Sequence, residues 1–488
     1  MLLLRNFTFP LIVILLLFAP ILFVSGQKPD AQQNGRLSRC GSMEALELWF
    51  NQNPAEREQY LRNVEEGKKL AEIARGNPPA ETQRLGAVVY IPVVFHFVLG
   101  AADQAKVTKA DVLWQLNKLN EDYAGTNGDS TNASGFYGIR GHSQIQFCLA
   151  QQDPDGNPTD GINRVYSTIT DFSSATVGNI KHANSCGADA WDPNRYFNIW
   201  VARSTSLLGI ATFPQTGQAS EQGVAIALDG FSNNPQYVNP AFNLGRTLVH
   251  EAGHYFGLYH IWGDDGTACT GDDFRQIAGT CVLPASLLLG DTPNQAGATS
   301  GCPNGVRTDA CSAAAPGYNF QNYMDYTDDG CYSMFTAKQV ERAEYVLMNC
   351  RASLLTSNGC TPVPVFANDA SPKLLSPGNT CYPGGISSTF CTNATFSASV
   401  MLTNKGTSNL TSATIYAVVG NGTPVSINYS GNLEPHASAI VTISGINAGA
   451  ASGTQPLKIY TSNPNASADQ RPSNDTTTVN LTIVAGGG

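Results

Sequence analysis

Charge is scarce in this sequence: 14% of its 488 residues are Asp, Glu, Lys or Arg, where ~25% is usual for soluble domains. The little there is leans acidic, with 28 Lys and Arg against 38 Asp and Glu. No basic surplus exists to hold a nucleic acid or an anionic membrane surface. Long apolar runs are missing after the N-terminus, so no later stretch is expected to span a membrane. Disorder is excluded by a hydrophobic content of 42%, since a disordered chain combines low hydrophobicity with high net charge. At ~150 residues per domain, the length suggests about three folded units.

The charges are unevenly spread. Residues 27–84 are crowded with both signs, whereas 361–488 hold only Asp369, Lys373, Lys405, Glu434, Lys458, Asp469, Arg471 and Asp475. Three compositional regimes imply three modules. Ahead of them, Met1–Gly26 has the pattern of a secretory signal: Arg5, the apolar run Leu11–Phe23, then Val24-Ser25-Gly26. The run is shorter than the ~20 residues a span needs, follows Pro10 directly and is interrupted by Pro20. Export with removal of this segment, and an extracellular mature protein, are the expectation.

In an exported chain most of the 12 cysteines should be disulfides. Spacing favours local loops such as Cys350–Cys360 and Cys381–Cys391, although sequence alone leaves connectivity open. Cys40 stands apart in the charged N-terminal module. If it is reserved for another purpose, eleven cysteines remain and one of those lacks a partner.

Residues 42–51 and 54–75 read as helices. Leu61, Val64, Leu70 and Ile73 fall near a 3.6 period among alternating charges, which predicts an amphipathic helix buried along that stripe. Asn77-Pro78-Pro79 ends it, and Arg84 follows as an exposed candidate for proteolytic processing. The β-branched run Val88–Phe95 then predicts a buried strand. Helices are expected at Lys109–Tyr123, Leu244–Phe256 and Thr336–Met348. After Thr361 the chain becomes rich in Ser, Thr, Asn and Gly, with alternating segments at Ser397–Leu402, Thr414–Val419, Pro424–Tyr429, Ile440–Ile443, Leu457–Tyr460 and Val479–Ile483. That spacing is the signature of a β-sandwich. The expected division is a signal at 1–26, a helical propeptide at 27–84, a catalytic domain at 85–355, a linker and disulfide loop at 356–395, and the sandwich at 396–488.

Three of the seven histidines fall within His250-Glu251-Ala252-Gly253-His254-Tyr255-Phe256-Gly257-Leu258-Tyr259-His260. Residues four apart share one helix face, so His250 and His254 can present two imidazoles to one ion. Gly257 can take positive φ, end the helix and let the chain turn to bring in His260. Three neutral imidazoles suit one Zn²⁺ with a fourth position left for water. Glu251, about 100° round the helix from His250, can reach that water without being a ligand. It is the candidate general base, with zinc polarising a carbonyl.

His250–His260 resembles the long zinc signature of the metzincin metalloproteases. Asn322-Tyr323-Met324-Asp325-Tyr326 is similar to their Met-turn, which places Met324 beneath the zinc and gives Tyr326 the role of stabilising the tetrahedral intermediate. Asp328-Asp329-Gly330-Cys331 and Phe335-Thr336-Ala337-Lys338-Gln339 look like the pappalysin (cytophagalysin) group. Arg39-Cys40-Gly41 with Glu44 and Glu47, Asp153–Pro158, Leu208–Pro214 and Gly290-Asp291-Thr292-Pro293 agree with it. The resemblance covers roughly residues 36–350. It implies an α+β metzincin-like catalytic domain, with a twisted mixed sheet, helices and a zinc cleft. It also implies that Leu208, Gly209, Ile210 and Ala211 form a rim where a peptide substrate adds as a strand, and that Cys311 pairs with Cys331 and Cys302 with Cys269 or Cys281. Cys40 resembles the cysteine switch of metzincin proforms, its thiolate filling the position the catalytic water needs.

Two departures bear on specificity and cofactors. Relatives that select arginine on the primed side carry an acid immediately before the cysteine that follows the Met-turn. Gly330 stands there, which counts against arginine preference, Asp328 or Asp329 being only partial substitutes. A further aspartate often precedes the Asp-Thr-Pro by four positions, where this chain has Leu287; a Ca²⁺ site known in relatives is therefore expected to be weakened or absent. Downstream, Asn404-Lys405-Gly406, Leu433-Glu434-Pro435 and Asn474-Asp475-Thr476 resemble bacterial cell-adhesion-related β-sandwich domains, which implies a module that binds a surface or another protein, or serves as a spacer. The reading is a secreted zinc endopeptidase made as a zymogen, acting on protein or peptide substrates. The alternatives are an adhesin with a vestigial protease domain, against which the intact Glu251 speaks, and a zinc hydrolase acting on something other than peptide.

Overall fold

The structure, a computed structural model, describes residues 38–76, 84–133, 135–264, 269–379, 381–383 and 385–485. The expected signal segment at 1–26 and the proline-containing end of the expected propeptide lie outside these residues. The chain opens with a short strand β1 (Ser38–Cys40) and two helices, α1 (Ser42–Gln52) and α2 (Pro54–Gly76). Then β2 (Val89–Leu99) runs through the middle of a seven-stranded sheet and is buried continuously from Ile91 to Leu99. Burial on both faces is what a run of Val, Ile and Phe favours in a parallel sheet.

One edge of β2 takes β3 (Ile145–Leu149) and then β4 (Ile162–Tyr166); the other takes β5 (Phe197–Ala202), all parallel. Beyond β5 lie β7 (Val224–Ala227) and the antiparallel β6 (Leu207–Ala211), and β1 closes the sheet by pairing parallel with β6. Helix α3 (Lys109–Ala124) starts with a Thr108–Asp111 capping box and stops at Gly125, whose φ is 64°. With α4 (Arg246–Tyr255) and α5 (Ala337–Cys350) it joins the sheet in one core containing Phe95, Leu119, Phe147, Leu248, Phe256 and Leu347.

The N-terminal helices fall where expected, but α2 turns a different face inward. Leu61, Leu70 and Ile73 are exposed, whereas Tyr60, Gly67 and Ala71 are buried. Small residues win because the helix approaches closely: a Cβ on Gly67 would lie 2.9 Å from Leu288. Volume at the contact, not the hydrophobic period, sets the buried stripe.

The C-terminal part is all-β. A three-stranded sheet, β13 (Ser438–Asn447), β10 (Thr395–Asn404) and β8 (Ala370–Ser376), faces a five-stranded one of β12 (Val425–Leu433), β11 (Leu410–Val419), β14 (Gly453–Ser462), β15 (Thr476–Val484) and β9 (Thr389–Cys391). Alternate residues such as Val400, Leu402, Ile415, Ala417, Ile459 and Leu481 fill the space between them. The six expected strands all form. The expected linker at 356–395 is corrected: it supplies β8 and β9, which the sequence hides because β8 contains Pro372 and β9 spans three residues.

The disulfides also differ from expectation. They join Cys148–Cys360, Cys186–Cys381, Cys269–Cys311, Cys281–Cys350 and Cys302–Cys331, leaving Cys40 and Cys391 free. The Cys311–Cys331 pair is corrected: Cys311 joins Cys269 and Cys331 joins Cys302. Neither local loop forms. Two of the bonds tie the segment after residue 355 back to the catalytic core, at β3 and at the turn before Gly187. Chain proximity is a poor guide when the partner is brought by the fold. Among the described residues no helix is long and apolar enough to cross a membrane.

Candidate active site

All ten residues of α4 are buried, and the helix ends as its glycine predicts. Gly257 takes φ 83°, its N–H donates to the His254 carbonyl at 2.9 Å, and that of Leu258 donates to the Gly253 carbonyl at 2.9 Å. These are the two bonds of a Schellman stop. The turn brings His260 back, so that the His250, His254 and His260 rings lie 4.7 to 5.3 Å apart, centroid to centroid.

Their tautomers are fixed by what the other ring nitrogen touches. His250 Nδ1 donates to the Tyr323 carbonyl at 2.7 Å, His254 Nδ1 to the Leu258 carbonyl at 2.8 Å, and His260 Nδ1 to the Asp264 carboxylate at 2.8 Å. Each ring therefore turns its Nε2 away from that partner and towards the other two rings. His254 Nε2 and His260 Nε2 face one another at 3.1 Å, and the buried His250 Nε2 has no partner. Burial, then the neighbouring histidines, hold His250 and His254 well below the ordinary range, hence neutral. A cation between these nitrogens would satisfy them together, and three imidazoles with oriented outer nitrogens are what a zinc site requires. The donor set fits a metal.

A fourth atom joins them. Cys40 Sγ and the three histidine nitrogens all lie within 4.8 Å of one another. The thiol arrives on β1, which pairs with β6 in the register Ser38↔Leu207 and Cys40↔Gly209. The Gly41 N–H donates to the Gly209 carbonyl at 2.9 Å. Leu208, Gly209, Ile210 and Ala211 are thus gathered on one strand, whose outer edge is taken by β1. Gly209 is forced to be small, because a Cβ there would lie 2.5 Å from Glu251 Cγ.

Glu251 is completely buried, and burial pushes its carboxyl up to about 8. Its Oε2 accepts from the Ser42 hydroxyl at 2.8 Å and from the Cys40 thiol at 3.6 Å, while Oε1 has no partner. Ser42 in turn accepts from the Ala211 N–H at 2.7 Å. This serine was missed; a lone Ser after Cys-Gly carries no signal in the sequence. Asp264 was missed as well, although an acid four residues beyond a candidate ligand is a legible hint.

Beneath the histidines, a Cβ on Gly253 would lie 2.5 Å from Met324 Sδ, so Met324 packs directly against α4. The turn carrying it is anchored by Asn322, which accepts from the Met324 N–H at 2.9 Å and donates to Gln339 of α5 at 2.8 Å. The Tyr326 hydroxyl donates to the Cys40 carbonyl at 3.2 Å, with its ring 4.8 Å from that of His260. Desolvation raises the Tyr326 phenol well above its ordinary range, so it stays a donor.

Beside Cys40, the Arg39 side chain is buried between the Phe242 and Tyr332 rings, 4.9 and 4.8 Å from their centroids. At its end, Nη2 donates to Asp329 Oδ1 at 2.7 Å. Asp329 Oδ2 accepts from the N–H groups of Leu244, ahead of α4, and of Arg246, its first residue. Gly330, by contrast, is exposed and leaves its place without a carboxylate. The acid in this pocket is Asp329.

Comparison with known proteins agrees with this geometry. The profile of the peptidase M43 family, described as pregnancy-associated plasma protein-A, matches residues 181–348. An extracellular metalloprotease of Pyricularia oryzae is 38% identical over 284 residues, covering 57% of this chain and 81% of its own length. One from Colletotrichum graminicola is 29% identical over 296 residues, covering 59% and 86%. Among solved structures, a promirolysin variant of Tannerella forsythia is 33% identical with a TM-score of 0.55, covering 65% of this chain and 97% of that one. Mature mirolysin of the same organism, in complex with a cleaved peptide, is 37% identical with a TM-score of 0.50, covering 55% and 96%. The chain belongs to the M43, or pappalysin, family of zinc metalloendopeptidases.

Proposed function

We propose that this chain is a secreted protease precursor in which His250, His254 and His260 hold one zinc ion and Cys40 keeps the site latent. The observation that carries it is the convergence of Cys40 Sγ and three imidazole nitrogens on one point. A zinc ion bound there would polarise the scissile carbonyl and lower the pKa of water. Glu251, beside the position of the attacking water, takes a proton from it and passes it to the leaving amine. Tyr326, released from the Cys40 carbonyl when β1 departs, donates to the oxygen on which negative charge develops. Gly209 and its neighbours hold the substrate backbone as an added strand, and Met324 keeps α4 in place.

Residues 27–84 form the prosegment in this reading. The match to the mirolysin precursor covers more of this chain than the match to the mature form, which supports a precursor here. Arg84 marks the junction. Its side chain is 41% exposed and paired with the buried Glu344 at 2.7 Å. Five disulfides and relatives named extracellular support export. The Arg39 pocket favours substrates with a basic side chain next to the scissile bond, taken by Asp329 in place of the acid missing at Gly330. The C-terminal sandwich, bonded covalently to the core, is assigned to surface or protein binding.

The test is an assay of the processed protein on casein or gelatin. Activity should vanish with a zinc chelator and in Glu251→Ala; equal activity in all three samples would eliminate this reading.

A further inference from the structure

The helices of the prosegment cover a second surface beyond the metal site. Leu46 and Phe50 of α1 and Tyr60 of α2 form one apolar cluster with Phe213, Tyr259 and Ala278 of the core. Trp49, Met43 and Val64 border it, and the Tyr60 and Tyr259 hydroxyls meet at 3.3 Å. Every prosegment member leaves on activation. What remains is Phe213, Tyr259 and Ala278, each less than 5% exposed in the precursor, opened to water together.

This surface is continuous with the cleft. Phe213 follows the rim strand β6, its ring lies 5.0 Å from that of His254, and it packs on Tyr259 at 4.8 Å. Tyr259 directly precedes His260. Along β6, Arg39 is level with Leu208 and Cys40 with Gly209, so the Asp329 pocket lies on one side of the metal position and Phe213 on the other. Phe213 is four residues along the chain from Gly209, just past the end of β6, so an extended peptide continuing along this rim would meet it about four residues from the residue at the metal.

Resting on the endopeptidase reading above, we propose that Phe213, Tyr259 and Ala278 form a substrate subsite for a bulky apolar side chain, about four residues from the scissile bond and on the side opposite the basic residue. The occupant is the substrate peptide itself. The precursor fills the surface with Leu46 and Phe50, and a substrate side chain of the same chemistry replaces them. Basic on one side of the cut and apolar on the other is the pattern that two such sites, separated along one strand, would impose.

The experiment compares processed full-length enzyme on two peptides identical except for Phe or Ser at that position, preceded by a peptide-library profile that fixes the direction. The Phe peptide should be cut about tenfold faster in kcat/KM, and the ratio should fall towards one in Ala278→Glu, whose carboxylate would sit in the subsite without touching a histidine. If Ala278→Glu does not fold, Ala278→Ser should lower the ratio in the same sense. Both peptides cut equally by the parent enzyme would overturn the subsite and leave the protease standing. Neither peptide cut, with casein also untouched, would remove the protease reading and the subsite with it.

Discussion

The Ser42 hydroxyl donates a 2.8 Å hydrogen bond to the Glu251 carboxylate while accepting one from the Ala211 N–H. One prosegment side chain thus occupies the general base and the substrate rim at once. If Cys40 is the latch proposed above, Ser42 is its second half. In Cys40→Ala the unprocessed chain should turn over a quenched fluorescent peptide and process itself early, and Ser42→Ala should raise the same basal rate by a smaller factor. Latency equal to the parent in both variants would contradict the assignment.

Asp329 holds Arg39 with one oxygen and the N-terminal end of α4 with the other. Asp329→Asn keeps the size and loses the charge. It should cut kcat/KM for peptides with a basic residue beside the scissile bond by ~10-fold or more, with little change for neutral peptides, because charge-assisted bonds are about twice as strong as neutral ones. The loss of accepting capacity at Oδ2 should also lower stability by ~1–3 kcal/mol, read from denaturant midpoints.

Gly209 is close to Glu251 for steric reasons alone. In Gly209→Ala the new methyl would sit 2.5 Å from Glu251 Cγ, so either the rim or the carboxylate moves. A shift of that size costs about 10²-fold in rate, while the chain should remain folded and able to bind metal. Activity within twofold of the parent would show that the rim and Glu251 are not tightly registered.

How much of this was legible in the sequence depends on the scale of the cause. The imidazole spacing, the Gly257 stop and the Met324 turn are local, and all three took the places their residues dictate. Cys40 was legible from its neighbours. The disulfide partners were not, since Cys148 meets Cys360 across 212 positions only after the sheet has formed. The buried face of α2 was misread because Gly67 and Ala71 were chosen by close approach, which leaves no hydrophobic period. The contact between Arg39 and Asp329 was not legible, because the two lie 290 residues apart.

His96 reports on the core rather than the site. Completely buried, it donates from Nε2 to the Asn198 Oδ1 at 2.9 Å and accepts from the Asn163 side chain at 3.0 Å, and burial depresses it from 6.5 to about 4. On acidification the unfolded chain takes this proton first. The contribution is therefore fully present above pH 6.5 and falls as pH is lowered, by about 3 kcal/mol in all by the time the folded pKa is passed. Urea midpoints between pH 7.5 and 4 should show this slope, and His96→Gln should flatten it even if less stable overall.

The most direct measurement is the metal content of the processed enzyme, by native mass spectrometry beside elemental analysis. One zinc per chain is predicted, lost together with caseinolytic activity in His254→Ala. An active processed enzyme that holds no zinc, or a His254→Ala variant that keeps both the ion and the activity, would contradict the central claim.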